Sequence, residues 1–142
     1  MPVEIREAVE SDAGAIAGLL GQMGYPATAD QVAARLGRLA ASGHVRNLVA
    51  ILDGRLVGLT SVHFEPVLHH DEPYARLMIM VVDEELRSRG IGRQLMEATM
   101  DAARAAGCDR MELTSRTERA RAHAFYQSLG FEVQSTKFVR KL

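Results

Sequence analysis

The 142 residues suffice for one domain with a single core and leave no room for a separate substrate domain. Hydrophobic residues at 47% against 25% charged exclude a disordered chain, and a net charge of −1 excludes a global field for nucleic acid or an anionic membrane. The single cysteine, Cys108, excludes an internal disulfide framework and a thiolate-rich metal site, and reads as a small apolar residue leading into a strand.

The start, Met1-Pro2-Val3-Glu4-Ile5-Arg6-Glu7, is acidic and alternating, the pattern of a short strand and unlike a signal peptide. No stretch approaches the ~20 apolar residues of a membrane span, so the expected location is cytoplasmic. Ser11 offers an N-cap to a helix over Asp12 to Met23, with Ile16, Leu19, Leu20 and Met23 at helical spacing. Thr28 offers a cap to a second helix from Ala29 to Ala41, stopped by Ser42-Gly43. Asn47 to Phe64 reads as a hairpin about the turn pair Asp53-Gly54. Glu65 to Tyr74, with two prolines, two histidines and acids, reads as an exposed loop, the kind of segment that often faces a substrate. Leu77 to Val82 is an unbroken apolar run, expected as a central strand buried on both faces. A helical face of Ile91, Leu95, Ala98, Thr99, Ala102 and Ala106 follows, then an alternating strand Arg110 to Ser115. A helix from Ala120 to Leu129 and a closing strand from Phe131 to Val139 complete the chain.

Chemistry concentrates between the central strand and the third helix, in Asp83-Glu84-Glu85-Leu86-Arg87-Ser88-Arg89-Gly90-Ile91-Gly92-Arg93. Two glycines spaced by one residue let backbone N–H groups converge without Cβ interference, at a helix start that carries partial positive charge. That is an anion site suited to a pyrophosphate, with Arg87, Arg89 and Arg93 adding charge. Nucleotide folds fit poorly: no Gly-Lys-Ser/Thr is present, and no Gly-x-Gly-x-x-Gly follows the first strand.

Arg87-x-x-Gly90-x-Gly92 after an apolar strand resembles the acetyl-CoA motif of the GNAT superfamily of N-acetyltransferases. Downstream, Arg119-Ala120-Arg121-Ala122-His123-Ala124-Phe125-Tyr126-Gln127-Ser128-Leu129-Gly130-Phe131 is similar to that superfamily's second signature, and the element order β-α-α-β-β-β-α-β-α-β also matches. The resemblance spans the chain. It implies a single α/β (α+β) domain over residues 1–142, with a mixed, mostly antiparallel sheet, one parallel pair at the coenzyme cleft, and helices on both faces. It implies acetyl-CoA as co-substrate, with the pantetheine arm on the backbone of Met80, Val81 and Val82. The pyrophosphate would then sit on the amides of Ser88, Arg89, Gly90, Ile91, Gly92 and Arg93, beside Arg87.

Acetyl transfer needs a neutral amine, a polarised thioester carbonyl and a proton for the departing thiolate. Tyr126 matches the tyrosine that lies near the coenzyme sulfur in GNAT enzymes, and a phenol with a pKa near ~10 is protonated and ready to donate at neutral pH. Many relatives carry a glutamate within the central strand, but Arg76 to Met80 offers none. The candidates for the base are therefore Glu65, His63, His69, His70 and Asp71, or water. Those histidines and acids match no compact ligand spacing, so no metal is expected.

Leu52-Asp53-Gly54, Val57-Gly58, Leu68-His69-His70 and the tail Lys137 to Leu142 are similar to aminoalkylphosphonate N-acetyltransferases, which implies a small-molecule amine as acceptor. Two other readings stay open: a non-catalytic acyl-CoA-binding module, which the missing strand acid suggests, and acetylation of a protein N-terminus or lysine. The superfamily admits a homodimer, which nothing in the sequence demonstrates.

Overall fold

A computed structural model describes residues 2–116 and 118–142; Met1, at the head of the alternating N-terminal stretch, and Thr117 lie outside the described residues. The elements are β1 (Glu4–Glu7), α1 (Ala13–Gln22), α2 (Ala29–Ser42), β2 (Val45–Leu52), β3 (Arg55–Glu65), β4 (Tyr74–Val82), α3 (Ile91–Ala105), β5 (Met111–Leu113) and α4 (Ala120–Ser128). The chain forms two compact units, Met1–Glu112 and Leu113–Leu142. Among the described residues no helix is long and apolar enough to cross a membrane.

In the first unit the helix starts follow side-chain chemistry. Ser11 does not cap α1; it lies in a 3-10 turn, Glu10–Asp12. The carboxylate of Asp12 takes over, accepting the Val9 N–H at 2.8 Å and both Arg6 guanidinium nitrogens at 2.8 and 3.0 Å. Two oxygens serve three donors there, which one serine hydroxyl cannot do. Thr28 caps α2 as expected, with Gln31 completing a capping box, and Gly43 ends the helix at φ 74°.

The sheet runs β1-β2-β3-β4-β5, and its first three pairings are antiparallel. Asp53 and Gly54, with φ of 51° and 75°, make the tight β2–β3 turn. The N–H of Ala75 donates to the carbonyl of Arg110 at 3.0 Å, so β4 and β5 begin side by side, as a crossover through α3 requires. Alternation along the strands sends Val49, Leu59 and Val81 to a core with Ile16, Leu19, Leu20 and Val32 of α1 and α2. Leu48, Ala50 and Val57 go to the other face, against Ile91 and Leu95 of α3.

The structure departs from the sequence expectations at three points in this unit. β4 is not buried on both faces: Ala75, Leu77 and Val81 are buried, but Met78 is 54% exposed. The core beneath α1 and α2 covers only the Val81 end of the strand, and β4 bulges at Met78, since Ser61 pairs Ile79 and Val62 pairs Leu77. On α3 the buried stripe runs Ile91, Leu95, Thr99 and then Ala103, the next position four residues on, while Ala106 lies past the helix end and is exposed. β5 stops at Leu113, three residues in all, short of the expected Ser115.

The second unit holds α4, ended by Gly130 at φ 93°. The expected closing strand, Phe131 to Val139, does not form; Val133, Phe138 and Val139 are 79%, 91% and 78% exposed. Its alternation is interrupted by Gln134, Ser135, Thr136 and Lys137, leaving too few apolar side chains on one face to hold a strand.

Candidate active site

Two packing details fix where α3 begins. A Cβ on Gly58 of β3 would lie 3.2 Å from Leu95 Cδ2 and 3.4 Å from Ala50 Cβ, so a glycine there lets α3 close on the sheet. One turn on, Thr99 donates its hydroxyl proton to the Leu95 carbonyl at 2.7 Å and accepts from the buried Thr60 hydroxyl at 2.8 Å. Apolar contact and one buried hydrogen bond thus hold the helix in register with the end of β4.

The connection from β4 to α3 is tied at several points. Asp83 donates its N–H to the Val57 carbonyl at 2.8 Å, its carboxylate accepts from Arg55 at 2.9 Å and from the Glu85 N–H at 3.1 Å, and Gln22 of α1 accepts the Glu84 N–H at 3.0 Å. The Glu85 N–H first, and then Arg55, hold the Asp83 carboxyl below the usual carboxylate range against the opposing effect of burial. Beyond this anchored turn the backbone takes positive φ twice, 67° at Ser88 and 81° at Gly90. Gly90 precedes α3 without any side-chain cap, and Gln94 N–H to Gly90 carbonyl at 3.2 Å closes the first turn. The N–H groups of that turn, beginning at the buried Ile91, have no acceptor within the helix. Such a start suits an anion, and Arg87, Arg89 and Arg93 lie within four residues of it in the chain, Arg93 standing 4.0 Å from Glu97 one turn on.

Of the residues expected to take the pantetheine arm, Val81 turns its side chain into the α1–α2 core, and Met80 and Val82 pack toward α3. Three-residue β5 starts level with the head of nine-residue β4, so its ladder ends before Met80. The backbone edge over Met80, Val81 and Val82 lies past it.

The other half of the α1–α2 face is polar. Below Val49, Leu59 and Ile79 the same alternation presents Asn47, Ser61, His63, Glu65 and Arg76. Ser61 donates to Asn47 Oδ1 at 2.6 Å, while Arg76 stands 3.6 Å from Glu65 and 4.0 Å from Glu112 of β5. The five candidate bases therefore separate. His63 and Glu65 belong to this half-face, whereas His69, His70 and Asp71 lie in the loop before β4. There His69 Nε2 meets the Tyr74 hydroxyl at 3.2 Å, and the Arg110 guanidinium stacks 4.5 Å over the Tyr74 ring.

His70 Nε2 contacts Asp109 at 2.7 Å and Glu72 at 3.3 Å, and the potential ligand atoms of the three lie within 4.8 Å of one another. The hydrogen bond from His70 is the main reason the Asp109 carboxyl is held below its ordinary range. Asp109 arrives from the far end of α3, so no local spacing announces this cluster. Glu112 belongs to no motif either; its signal is the polar position between Met111 and Leu113 on an alternating strand. Cys108 is partly buried, and burial raises its thiol, the behaviour of an inert packing residue.

Within the second unit, Tyr126 sits on α4 between Phe125 and Phe131, with ring centroids at 5.4 and 6.0 Å. Burial raises its phenol above the ordinary value, opposed by Arg119. It is a protonated hydroxyl at every physiological pH. His123 Nε2 is engaged with the Arg116 carbonyl at 2.8 Å.

The profile of the acetyltransferase (GNAT) family matches residues 19–131. An aminoalkylphosphonate N-acetyltransferase of Salmonella typhimurium is 32% identical over 100% of this chain and 94% of its own. Among solved structures, one described as a transcriptional regulator from Bacillus halodurans superposes with a TM-score of 0.92 at 23% identity, covering 99% of this chain and 100% of that one. The aminoglycoside acetyltransferase AAC(6')-Iy, solved with a bisubstrate analogue of CoA and acetylneamine, superposes with a TM-score of 0.86 at 24% identity, covering 100% and 99%.

Proposed function

The chain belongs to the GNAT acetyltransferase family and is an N-acetyltransferase, and on that premise we propose that it moves the acetyl group of acetyl-CoA to a primary amine of a small molecule by direct attack in a ternary complex. The observation that carries the donor half is the uncapped start of α3, opened by left-handed Gly90 directly after β4. In this reading the amides of Ser88 through Arg93 take the pyrophosphate, with Arg87 beside it. The edge over Met80, Val81 and Val82, past the end of β5, binds the pantetheine amides as an added strand would, and a backbone N–H there polarises the thioester carbonyl. Tyr126, kept neutral by burial, supplies the proton to the leaving sulfur. The amine gives up its proton on the polar half-face, where Glu65 is the carboxylate expected from the sequence. The name of the full-length relative supports an aminoalkylphosphonate or a similar small amine as acceptor. The 142 residues act as one cytoplasmic domain, alone or as a homodimer.

The test is release of coenzyme A, followed with a thiol-reactive dye, across aminoalkylphosphonates, polyamines, aminoglycosides, amino acids and N-terminal peptides. Small-amine-dependent release that falls in Tyr126→Phe is the expected result. Tight acetyl-CoA binding without release by any amine would return the chain to a binding module. Release only with peptides would move the acceptor to proteins.

A further inference from the structure

β4 carries no acid, although its bulge at Met78 is the point where its backbone and its exposed side chain part from regular pairing. The neighbouring strand supplies one. In a parallel pair the bond from the Ala75 N–H to the Arg110 carbonyl sets Ala75 opposite Met111, so Glu112 is level with Arg76, two residues before the bulge. Its carboxylate stands 4.0 Å from Arg76, on the same face as Glu65. Glu65 pairs with Tyr74, two residues farther from the bulge than Glu112, or about 7 Å of strand. Arg76 lies between two carboxylates, so the group is net negative, and neither contact is at hydrogen-bond length. Both carboxylates are partly exposed, with side-chain exposures of 44% and 43%.

We propose that Glu112 is the catalytic base and the ammonium-binding residue of the acceptor site, with Glu65 drawing the cation in and Arg76 positioning both carboxylates. The assignment rests on the acetyltransferase reading above. A protonated primary amine docks on Glu112 and passes one N–H proton to its carboxylate. The freed lone pair forms the C–N bond to the thioester carbonyl carbon, and the C–S bond breaks. The nitrogen loses its second proton, the sulfur gains one, and Glu112 returns its proton to water. Ammonium and thioester thus become amide, thiol and one released proton. The substrate class is an alkylamine that is cationic in solution.

The experiment measures kcat/KM against pH for wild type, Glu112→Gln, Glu112→Asp and Glu65→Gln, using whichever amine the wild type acetylates best, with calorimetric binding of CoA as a control. Glu112→Gln is expected to lose roughly 10²–10⁴-fold in kcat/KM with unchanged CoA affinity. Its residual rate should rise about tenfold per pH unit below the amine's own pKa, since only amine already deprotonated by water then reacts. Glu112→Asp, which keeps a carboxylate, is expected to recover at least about tenfold over the glutamine variant, and Glu65→Gln to lose less in kcat/KM than Glu112→Gln, chiefly through a raised KM. Wild-type turnover with Glu112→Gln within about threefold of it overturns this assignment alone, because a general base typically contributes about two orders of magnitude or more. No turnover by the wild type with any amine overturns it together with the acetyltransferase reading.

Discussion

Gly90 and Gly43 form a matched pair that separates backbone strain from ligand binding. Both sit at helix ends in left-handed conformation, φ 81° and ψ 0° at Gly90, φ 74° and ψ −3° at Gly43, and a Cβ on either would meet nothing within 4 Å. Alanine at either position therefore encounters only the left-handed penalty, about 1–2 kcal/mol, or roughly 2–8 °C in Tm for a chain of this size. What differs is what each glycine serves. Gly43 closes the end of α2, whereas Gly90 aims the first amides of α3. If Gly90→Ala relaxes toward negative φ, one such amide turns away from the diphosphate. A hydrogen bond to a charged group contributes about 1.5–3 kcal/mol, so CoA should bind roughly 10- to 100-fold more weakly. Gly43→Ala should melt at a similar temperature and bind CoA as wild type does. Thermal melts and calorimetric titration with CoA check both arms. Equal destabilisation with wild-type affinity in Gly90→Ala would refute the phosphate cradle.

Three further outcomes follow from the geometry. Asp12→Asn strips charge from a buried carboxylate that serves Arg6 and the Val9 N–H, and should cost about 2 kcal/mol by urea unfolding. Because these partners depress the Asp12 pKa, their stabilisation is complete above the unfolded value near ~4 and is lost as pH falls through the lower folded value; the variant should show less of that acid loss. Thr99→Val leaves the buried Thr60 hydroxyl without its acceptor, an expected loss of about 1–2 kcal/mol, while the Thr60→Val/Thr99→Val pair should recover part of it in a double-mutant cycle. Tyr126 has a raised phenol, so its stabilisation is present below the unfolded value near ~10 and lost as pH climbs through the folded value; urea midpoints between pH 9 and about 11.5 should fall less steeply in Tyr126→Phe.

What could be read from the chain was whatever rests on local chemistry. The Thr28 capping box, the Asp53-Gly54 turn and the glycines at Gly43, Gly90 and Gly130 each declare a backbone conformation within a few residues. Helical spacing placed Ile91, Leu95 and Thr99 inside, and the two signature segments placed the fold. The failures are non-local. The preference for Asp12 over Ser11 depends on Arg6 arriving from β1. The bulge at Met78 is a mismatch between two strands, invisible in either alone. Phe131 to Val139 alternates just enough to suggest a strand, yet pairing needs a partner edge and a buried face, and the segment has neither in its own unit.

The two halves of the proposed site differ in the same way, and that difference bears on how the chain can change. Donor binding is assigned to backbone groups: the amides opening α3 and the edge over Met80 to Val82. Such groups are set by φ, by Gly58 under Leu95 and by the Thr60–Thr99 bond, so most side-chain substitutions along them leave the donor half intact. Acceptor binding is assigned to Glu65, Arg76 and Glu112, three side chains from three strands that meet only through register. A substitution at any one alters the charge of the half-face without touching the core, since all three are partly exposed. Acceptor choice can therefore shift by single charge changes on a scaffold whose donor chemistry stays constant. The same separation explains why the donor was legible in a glycine motif and the acceptor was not.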